Sequence, residues 1–319
     1  MCDGTLAHRF SALARCERTG EVKPLIQAQG LAHDGAAVGG GASREAIERH
    51  YDVGRDFYRM WLDARMVYSC AYWPGEPGDD LDAAQVAKLD WHATAACVDG
   101  AARVLDVGCG WGAMLAYLTG ERDVGHVTGL TLSADQAGYV GDRQPDADVR
   151  LEDWRDHNAD EPYDAIISIG AFEHFARPEL TTAERRDVYR AFFERCFGWL
   201  VEDGRLSLQT IGYDDFDQTT GPVSSFFTDK VFPESTLPFL SDIVVAAEPS
   251  FRVLALRSDG EQYAQTLKLW QGRLQAGADQ AAALVGRETY RHYLRYLRLS
   301  RAMFERRVCT LYRLVLERR

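Results

Sequence analysis

The chain has no run of about 18 consecutive apolar residues, the length a membrane-crossing helix requires, so no span is expected. Its first residues lack the apolar core of a secretory signal, and Cys2 follows Met1 with no leader before it. Neither export nor a lipid anchor is expected, and the expected location is cytoplasmic. Positive charge is also short: 36 Lys and Arg stand against 48 Asp and Glu, a net −12. Binding to phosphate backbones or an anionic bilayer needs clustered cations, so nucleic acid is not an expected partner and a soluble acceptor is favoured over bilayer lipid. The seven cysteines (2, 16, 70, 97, 109, 196, 309) are odd in number and form no CxxC pair, and the eight histidines form no HExxH. Neither a disulfide frame nor a metal site is expected. No internal repeat is visible.

What is present is an ordinary globular composition, 46% hydrophobic and 26% charged over 319 residues. That length buries about three quarters of its unfolded surface and excludes collagen, coiled coil and wholesale disorder. Charge is uneven: from Arg287 to Arg319 there are ten Arg and three Glu. This basic stretch reads either as a solvated helix face or as a docking patch for an anionic carrier or substrate.

Residues 1–42 read as an extension ending in the flexible Gly39-Gly40-Gly41, and 43–319 as one domain. Ser43 is a good helix cap, and a helix is expected from there to about Leu62. An aromatic loop (68–74) and a helix (81–97) follow. Short apolar runs at 103–107, 124–130, 149–151, 165–169 and 206–210 alternate with helical stretches near 112–120, 133–143 and 183–200. That alternation predicts βαβ units, an α/β fold and a mostly parallel sheet. Residues 213–250 break the rhythm, concentrating Phe216, Phe226, Phe227, Phe232, Phe239 and three prolines, and are expected to form a lid. A strand at 252–256, helices at 261–275 and 287–305 and a strand at 308–316 complete the pattern.

The most informative stretch is Val104-Leu105-Asp106-Val107-Gly108-Cys109-Gly110-Trp111-Gly112, an apolar strand running into spaced glycines and a helix. Glycines let backbone approach a ligand that a Cβ would exclude. Gly108, Gly110 and Ala113 also fit the dinucleotide fingerprint, which requires an acid about 20 residues on to hold a ribose. The second strand instead ends Gly129-Leu130-Thr131-Leu132-Ser133, with no carboxylate at its tip. Asp106 just before the glycines suits a loop holding an amino-acid moiety, which points to S-adenosylmethionine (SAM). Asp153 and Trp154, closing the third strand, are candidates to read adenine by hydrogen bond and by stacking.

Beyond the glycine loop, the chain carries His50-Tyr51-Asp52-Val53-Gly54, Tyr68-Ser69-Cys70-Ala71-Tyr72, Gly129-Leu130-Thr131-Leu132-Ser133, Ser168-Ile169-Gly170-Ala171-Phe172-Glu173-His174-Phe175, and Tyr263-Ala264-Gln265-Thr266-Leu267 with Trp270. In these words and their order, from about residue 43 onward, it resembles the cyclopropane-fatty-acyl-phospholipid and mycolic acid cyclopropane synthases, SAM-dependent enzymes acting on lipid double bonds. The resemblance implies a Rossmann-like class I methyltransferase, with a mostly parallel seven-stranded sheet, helices on both faces, an N-terminal helical cap and the lid. It places Tyr68, Ser69, Gly108, Gly110, Thr131, Leu132, Gln136 and Trp154 against SAM, with Asp106, Gly112 and Asp153 as further candidates. It also implies a bicarbonate ion beside the transferring methyl, at positions matching Cys70, Glu173, the Ile211 backbone and Tyr263. The family's usual His-Thr-Ile is Gln209-Thr210-Ile211 here. Gln209 can donate to an anion but carries no charge and does not titrate, so weaker bicarbonate dependence and methylation without ring closure are expected. A second departure is Phe232-Pro233-Glu234-Ser235, where the family has two glycines after the proline.

An alkene attacking the methyl of SAM leaves a carbocation, which aromatic faces and a nearby carboxylate stabilise. Glu173 and Tyr263 are the candidates for that role, with Tyr51, Phe172 and Phe175 as walls and Phe226 and Phe227 as lid contacts of a hydrophobic or acyl acceptor. The alternative readings are a C- or N-methyltransferase of a diffusible natural product and a SAM-binding protein without transfer activity.

Overall fold

The computed structural model describes residues 53–215 and 235–319. All of them lie in the compact unit that begins at Gly40. The expected helix start at Ser43, Tyr51, and Phe216, Phe226, Phe227 and Phe232 of the expected lid lie outside the described residues.

The apolar runs become strands. β1 (Arg103–Val107), β2 (His126–Thr131), β3 (Asp148–Leu151), β4 (Tyr163–Ile169), β5 (Leu200–Tyr213), β6 (Phe251–Ser258) and β7 (Cys309–Arg318) form one sheet in the order β3-β2-β1-β4-β5-β7-β6. β1 to β5 pair in parallel; β7 enters antiparallel between β5 and β6. Helices cover both faces, so the central strands are apolar on both sides. Leu105, Val107 and Ile166 pack with α5 (Thr182–Trp199), through Phe192 and Phe193. Val104, Ala165 and Ile167 face the other way, against Leu89 of α2 (Leu81–Ala95) and Leu115 of α3 (Ala113–Glu121). A third cluster, rich in aromatics, joins α1 (Arg55–Arg59), α7 (Gly260–Ala276) and α8 (Ala278–Glu305) through Phe57, Trp61, Trp270 and Tyr293. Among the described residues no helix is long and apolar enough to cross a membrane.

The structure corrects four boundaries. The described helix α1 starts after Gly54, at φ 91°, and ends at Arg59, short of the expected Leu62. β5 is longer than the expected 206–210 because β7 pairs with it as far as Tyr213. The helix expected from Arg287 is continued backwards to Ala278 across a kink at Gly286, φ 82°. Within the expected lid, Leu240–Ala247 is a helix, α6, whose Ile243, Ala246 and Ala247 are buried in the sheet core against α5. The spacing 240, 243, 247 is helical; the surrounding Phe and Pro concealed it. Leu240–Ala247 therefore belongs to the core and not to a cover.

Two glycines near the cavity described below behave oppositely. Gly112 begins α3 at φ 80°, and a Cβ there would meet Val140 Cγ2 at 2.7 Å. Gly138 lies exposed inside α4 (Ala134–Arg143), with open space where a Cβ would go. Gly112→Ala is expected to cost at least about 1–2 kcal/mol from the left-handed backbone, and Gly138→Ala to add about 1 kcal/mol from helix propensity. Urea unfolding of both variants checks the two signs.

Candidate functional site

In the sheet, the chain runs from β1 outward to β2 and β3 on one side and to β4 and β5 on the other. Ligands of such sheets bind at the carboxyl ends of the strands beside that switch. The glycine loop is there. The N–H groups of Gly108 and Cys109 both donate to Leu130 O, at 3.0 and 2.9 Å, folding the loop over the end of β2. Gly108 (φ 86°) must lack a side chain because its Cβ would sit 2.5 Å from the Ala171 Cβ, in the turn after β4. Gly110 differs: a Cβ there would meet nothing within 4 Å, and its backbone lines a cavity. That is the cradle expected for a ligand that approaches main chain.

Most of the expected cofactor residues line this cavity. Asp106, Gly108 and Gly110 come from β1 and its loop, Thr131, Leu132 and Gln136 from the end of β2 and the start of α4, and Tyr68 and Ser69 from the aromatic loop. Thr131 donates to Gln136 Oε1 at 2.8 Å, and Ser133 caps α4, which fixes that wall. Trp154 lines the cavity too, but it also belongs to the core, tilted on Phe175 (5.1 Å) and edge-on to Phe192 (5.4 Å). Asp153 is present with both carboxylate oxygens bound to Arg155, at 2.7 to 2.9 Å. Gly112 does not line the cavity; it packs against α4, as above, so its expected contact is corrected to a structural role.

Among the expected catalytic residues, Glu173 sits on the turn after β4 and is buried. Its Oε1 accepts the Ile211 N–H at 2.7 Å, and its Oε2 has no hydrogen-bond partner among the described residues. Burial pushes its carboxyl up to about 7, against the pull of the Ile211 N–H. Cys70 and Ile211 belong to the aromatic cluster, and Tyr263 packs against it, its ring 4.6 Å from that of Phe304. Burial pushes the Cys70 thiol up to about 11, so it stays neutral. Phe175 lines the cavity. Phe172 does not: it is fully buried, stacked on Tyr189 at 4.6 Å, and its expected place as an acceptor wall is corrected to core.

Gln209 enters a buried network that its sequence position did not announce. Arg313, on β7 and fully buried, donates its Nε to Gln209 Oε1 at 3.0 Å and an Nη2 hydrogen to Ala71 O at 3.0 Å. Nη2 lies 3.7 Å from Cys70 Sγ, and Nη1 donates to Asp259. Arg257 grips the same Asp259, so two guanidiniums share one carboxylate and a positive charge is left over. Since Arg Nε can only donate, the Gln209 carbonyl faces it. His92 Nε2, 3.3 Å from the same oxygen, is then the donor, and Nδ1 accepts from Ser207 at 2.7 Å. Burial and the nearby Arg313 and Lys88 hold His92 well below its usual range, hence neutral.

Sequence reasoning missed Lys88, His92, Asp259 and Arg313. One signal was available on α2: Gln85, Lys88 and His92 fall on the same helical face as Leu81, Ala84 and Leu89, and all are buried. Polar residues on an apolar stripe need partners inside the molecule. The basic C-terminal stretch is likewise split, Arg313 being core and Arg287, Arg291 and Arg298 exposed on α8.

The family model for mycolic acid cyclopropane synthetase matches residues 41–314. Cyclopropane mycolic acid synthase 2 of Mycobacterium leprae is 37% identical over 273 residues, spanning 79% of this chain and 87% of that protein. Among solved structures, the cyclopropane synthase MmaA2 from Mycobacterium tuberculosis superposes with a TM-score of 0.78 at 30% identity, over 87% of this chain and 99% of that one. The mycolic acid cyclopropane synthase CmaA1 complexed with SAH and CTAB gives 0.77 at 32% identity over the same shares. The glycine cradle, the parallel sheet with its inserted antiparallel strand and these matches agree: the chain belongs to the mycolic acid cyclopropane synthetase family and is a SAM-dependent methyltransferase of the cyclopropane-synthase type.

Proposed function

We propose that the acceptor is the double bond of a long unsaturated acyl chain and that Glu173 balances the positive charge that develops on it. The observation that carries this reading is the buried Glu173 Oε2 with no partner among the described residues. The name of the mycobacterial relative, a cyclopropane mycolic acid synthase, supports an acyl acceptor. The cavity fits SAM, because Gly110 leaves open the space a Cβ would take and Asp106 lines the wall beside it. Bound SAM supplies an electrophilic methyl group. Glu173 is positioned by the Ile211 N–H, so its second oxygen is held ready without reorganisation. Buried among apolar side chains, its charge acts with little screening. A carboxyl near neutrality also accepts a proton and releases it again. The Tyr263 ring offers an aromatic face to the same cation. Excluding water from this cluster keeps the cation from being quenched.

The bicarbonate expectation fits these residues less well. The Ile211 N–H is engaged by Glu173, the Cys70 thiol donates to Ala71 O at 3.1 Å, and Gln209, turned with its carbonyl toward Arg313, offers an uncharged NH₂ where the family has a histidine. We infer that bicarbonate is dispensable here. The exposed Arg287, Arg291 and Arg298, on one face of α8 by their spacing, suit an anionic carrier of the acyl chain.

With SAM carrying a fully deuterated methyl and an unsaturated acyl substrate, label is expected in the product. Three retained deuteriums report methylation, and two report a cyclopropane or an exomethylene. No transferred label overturns the acceptor assignment. Removing bicarbonate from the assay is expected to change the rate less than about twofold; strict dependence would refute its dispensability.

Glu173 must be ionised to balance a cation, so kcat at saturating SAM is expected to rise with pH and level off above about 7. Below that pH the protonated fraction grows and the rate falls about tenfold per unit. Glu173→Gln is expected to lower kcat by about 10²–10⁴-fold and to remove this limb, with SAM affinity unchanged. An unaltered profile would exclude the carboxyl.

A further inference from the structure

Among the described residues, two lysine or arginine side chains line the cavity, Lys88 and Arg155. Arg155 is matched by Asp153. Lys88 is 1% exposed and makes no ion pair among the described residues; its Nζ donates to Ser69 Oγ at 2.7 Å. The carboxylates nearest in charge do not satisfy it. Asp63 accepts the N–H groups of Val67 (2.7 Å) and Arg65 (3.0 Å), and Asp106 stands at the end of β1 with no hydrogen bond to Lys88. Ser69 accepts from Lys88 through Oγ, so its hydroxyl proton is left to donate into the cavity. The wall under the glycine loop thus presents one cation, one hydroxyl donor and one carboxylate, drawn from α2, the aromatic loop and β1.

A buried ammonium without a counter-ion is costly, and the cost disappears when an anion enters beside it. The amino-acid end of SAM carries one carboxylate and one ammonium, the complement of Lys88 and Asp106. We propose that Lys88, with the Ser69 hydroxyl, binds the carboxylate of the amino-acid end of SAM, leaving Asp106 to its ammonium. This rests on the reading of the cavity as the SAM site. Burial supports it from another direction, since it depresses Lys88 to about 7 and raises Asp106 to about 7. Each is thereby poised for an opposite charge to restore its ionised form. The other groups that act on Lys88 are Asp63, the neutral Cys70, and Arg313, whose charge repels it.

The test compares S-adenosylhomocysteine with its decarboxylated analogue by calorimetry, with no turnover involved. At pH 6.5 the protein is expected to bind S-adenosylhomocysteine about 10- to 100-fold more tightly, the usual size of a charged hydrogen bond. In Lys88→Met the two ligands should bind within about threefold of each other, and the analogue as it does to the unsubstituted protein. A preference that survives Lys88→Met overturns the assignment, and so does an equal loss for both ligands, which marks a structural role. A second measurement needs no variant. Binding of the carboxylate favours protonated Lys88, so the preference must shrink as pH rises from 6.5 to 8.5. Asp106 and the ligand ammonium are common to both complexes and drop out of the ratio. A preference that stays flat with pH overturns the proposal. If neither ligand binds the unsubstituted protein, the cavity reading itself fails and this assignment with it.

Discussion

One buried guanidinium holds the molecule's two halves in register. Arg313 reaches from β7 to Gln209 on β5, to Ala71 in the aromatic loop and to Asp259 at the start of α7. A fully buried cation with such partners is expensive to disturb, because removing any one of them leaves a charge or carbonyl unpaired in an apolar setting. The cost of misplacing β7 is therefore electrostatic as well as hydrophobic. The same contacts set the position of Cys70, and β5 carries Gln209 and Ile211 two residues apart, so the neighbourhood of Glu173 inherits its geometry from Arg313.

Three buried groups at this end of the sheet, Glu173, Asp106 and Lys88, are each moved to about 7, chiefly by burial. In the two acids burial resists the negative charge, in the lysine the positive one. A site that works on a cationic species in an apolar cavity has use for such groups, since they change charge at little cost when a partner arrives. The leftover positive charge of the Arg313, Arg257 and Asp259 cluster lies behind Gln209, where the resemblance leads one to expect a histidine.

The strands were legible because both faces of the sheet are covered, which leaves apolar runs bounded by turn residues, and Gly108 and Gly110 stood out because backbone approach admits nothing larger. The cavity wall of Thr131, Gln136 and Trp154 followed from the same loop by resemblance. What sequence could not show was pairing between distant segments. Arg313 read as one of ten arginines in a basic stretch, and only the antiparallel insertion of β7 puts it in the core. Phe172, adjacent to Glu173, looked like an acceptor wall, yet the turn sends its ring to Tyr189. Lys88 and His92 were hidden by the rule that charged residues face water, which α2 breaks at its buried face.

The place of β7 also governs the order of assembly. It is last of the strands in the chain but lies inside the sheet, between β5 and β6. β6 pairs with no other strand, so until β7 arrives it has no edge to join and β5 ends the sheet with its ladder open. Contacts between such distant segments form slowly, because chain closure precedes the reward. During synthesis a parallel half-sheet with its glycine loop can therefore form well before the part that surrounds Cys70. The glycine loop rests on contacts close along the chain, whereas the wall around Ser69 and Cys70 is closed only by its last strand.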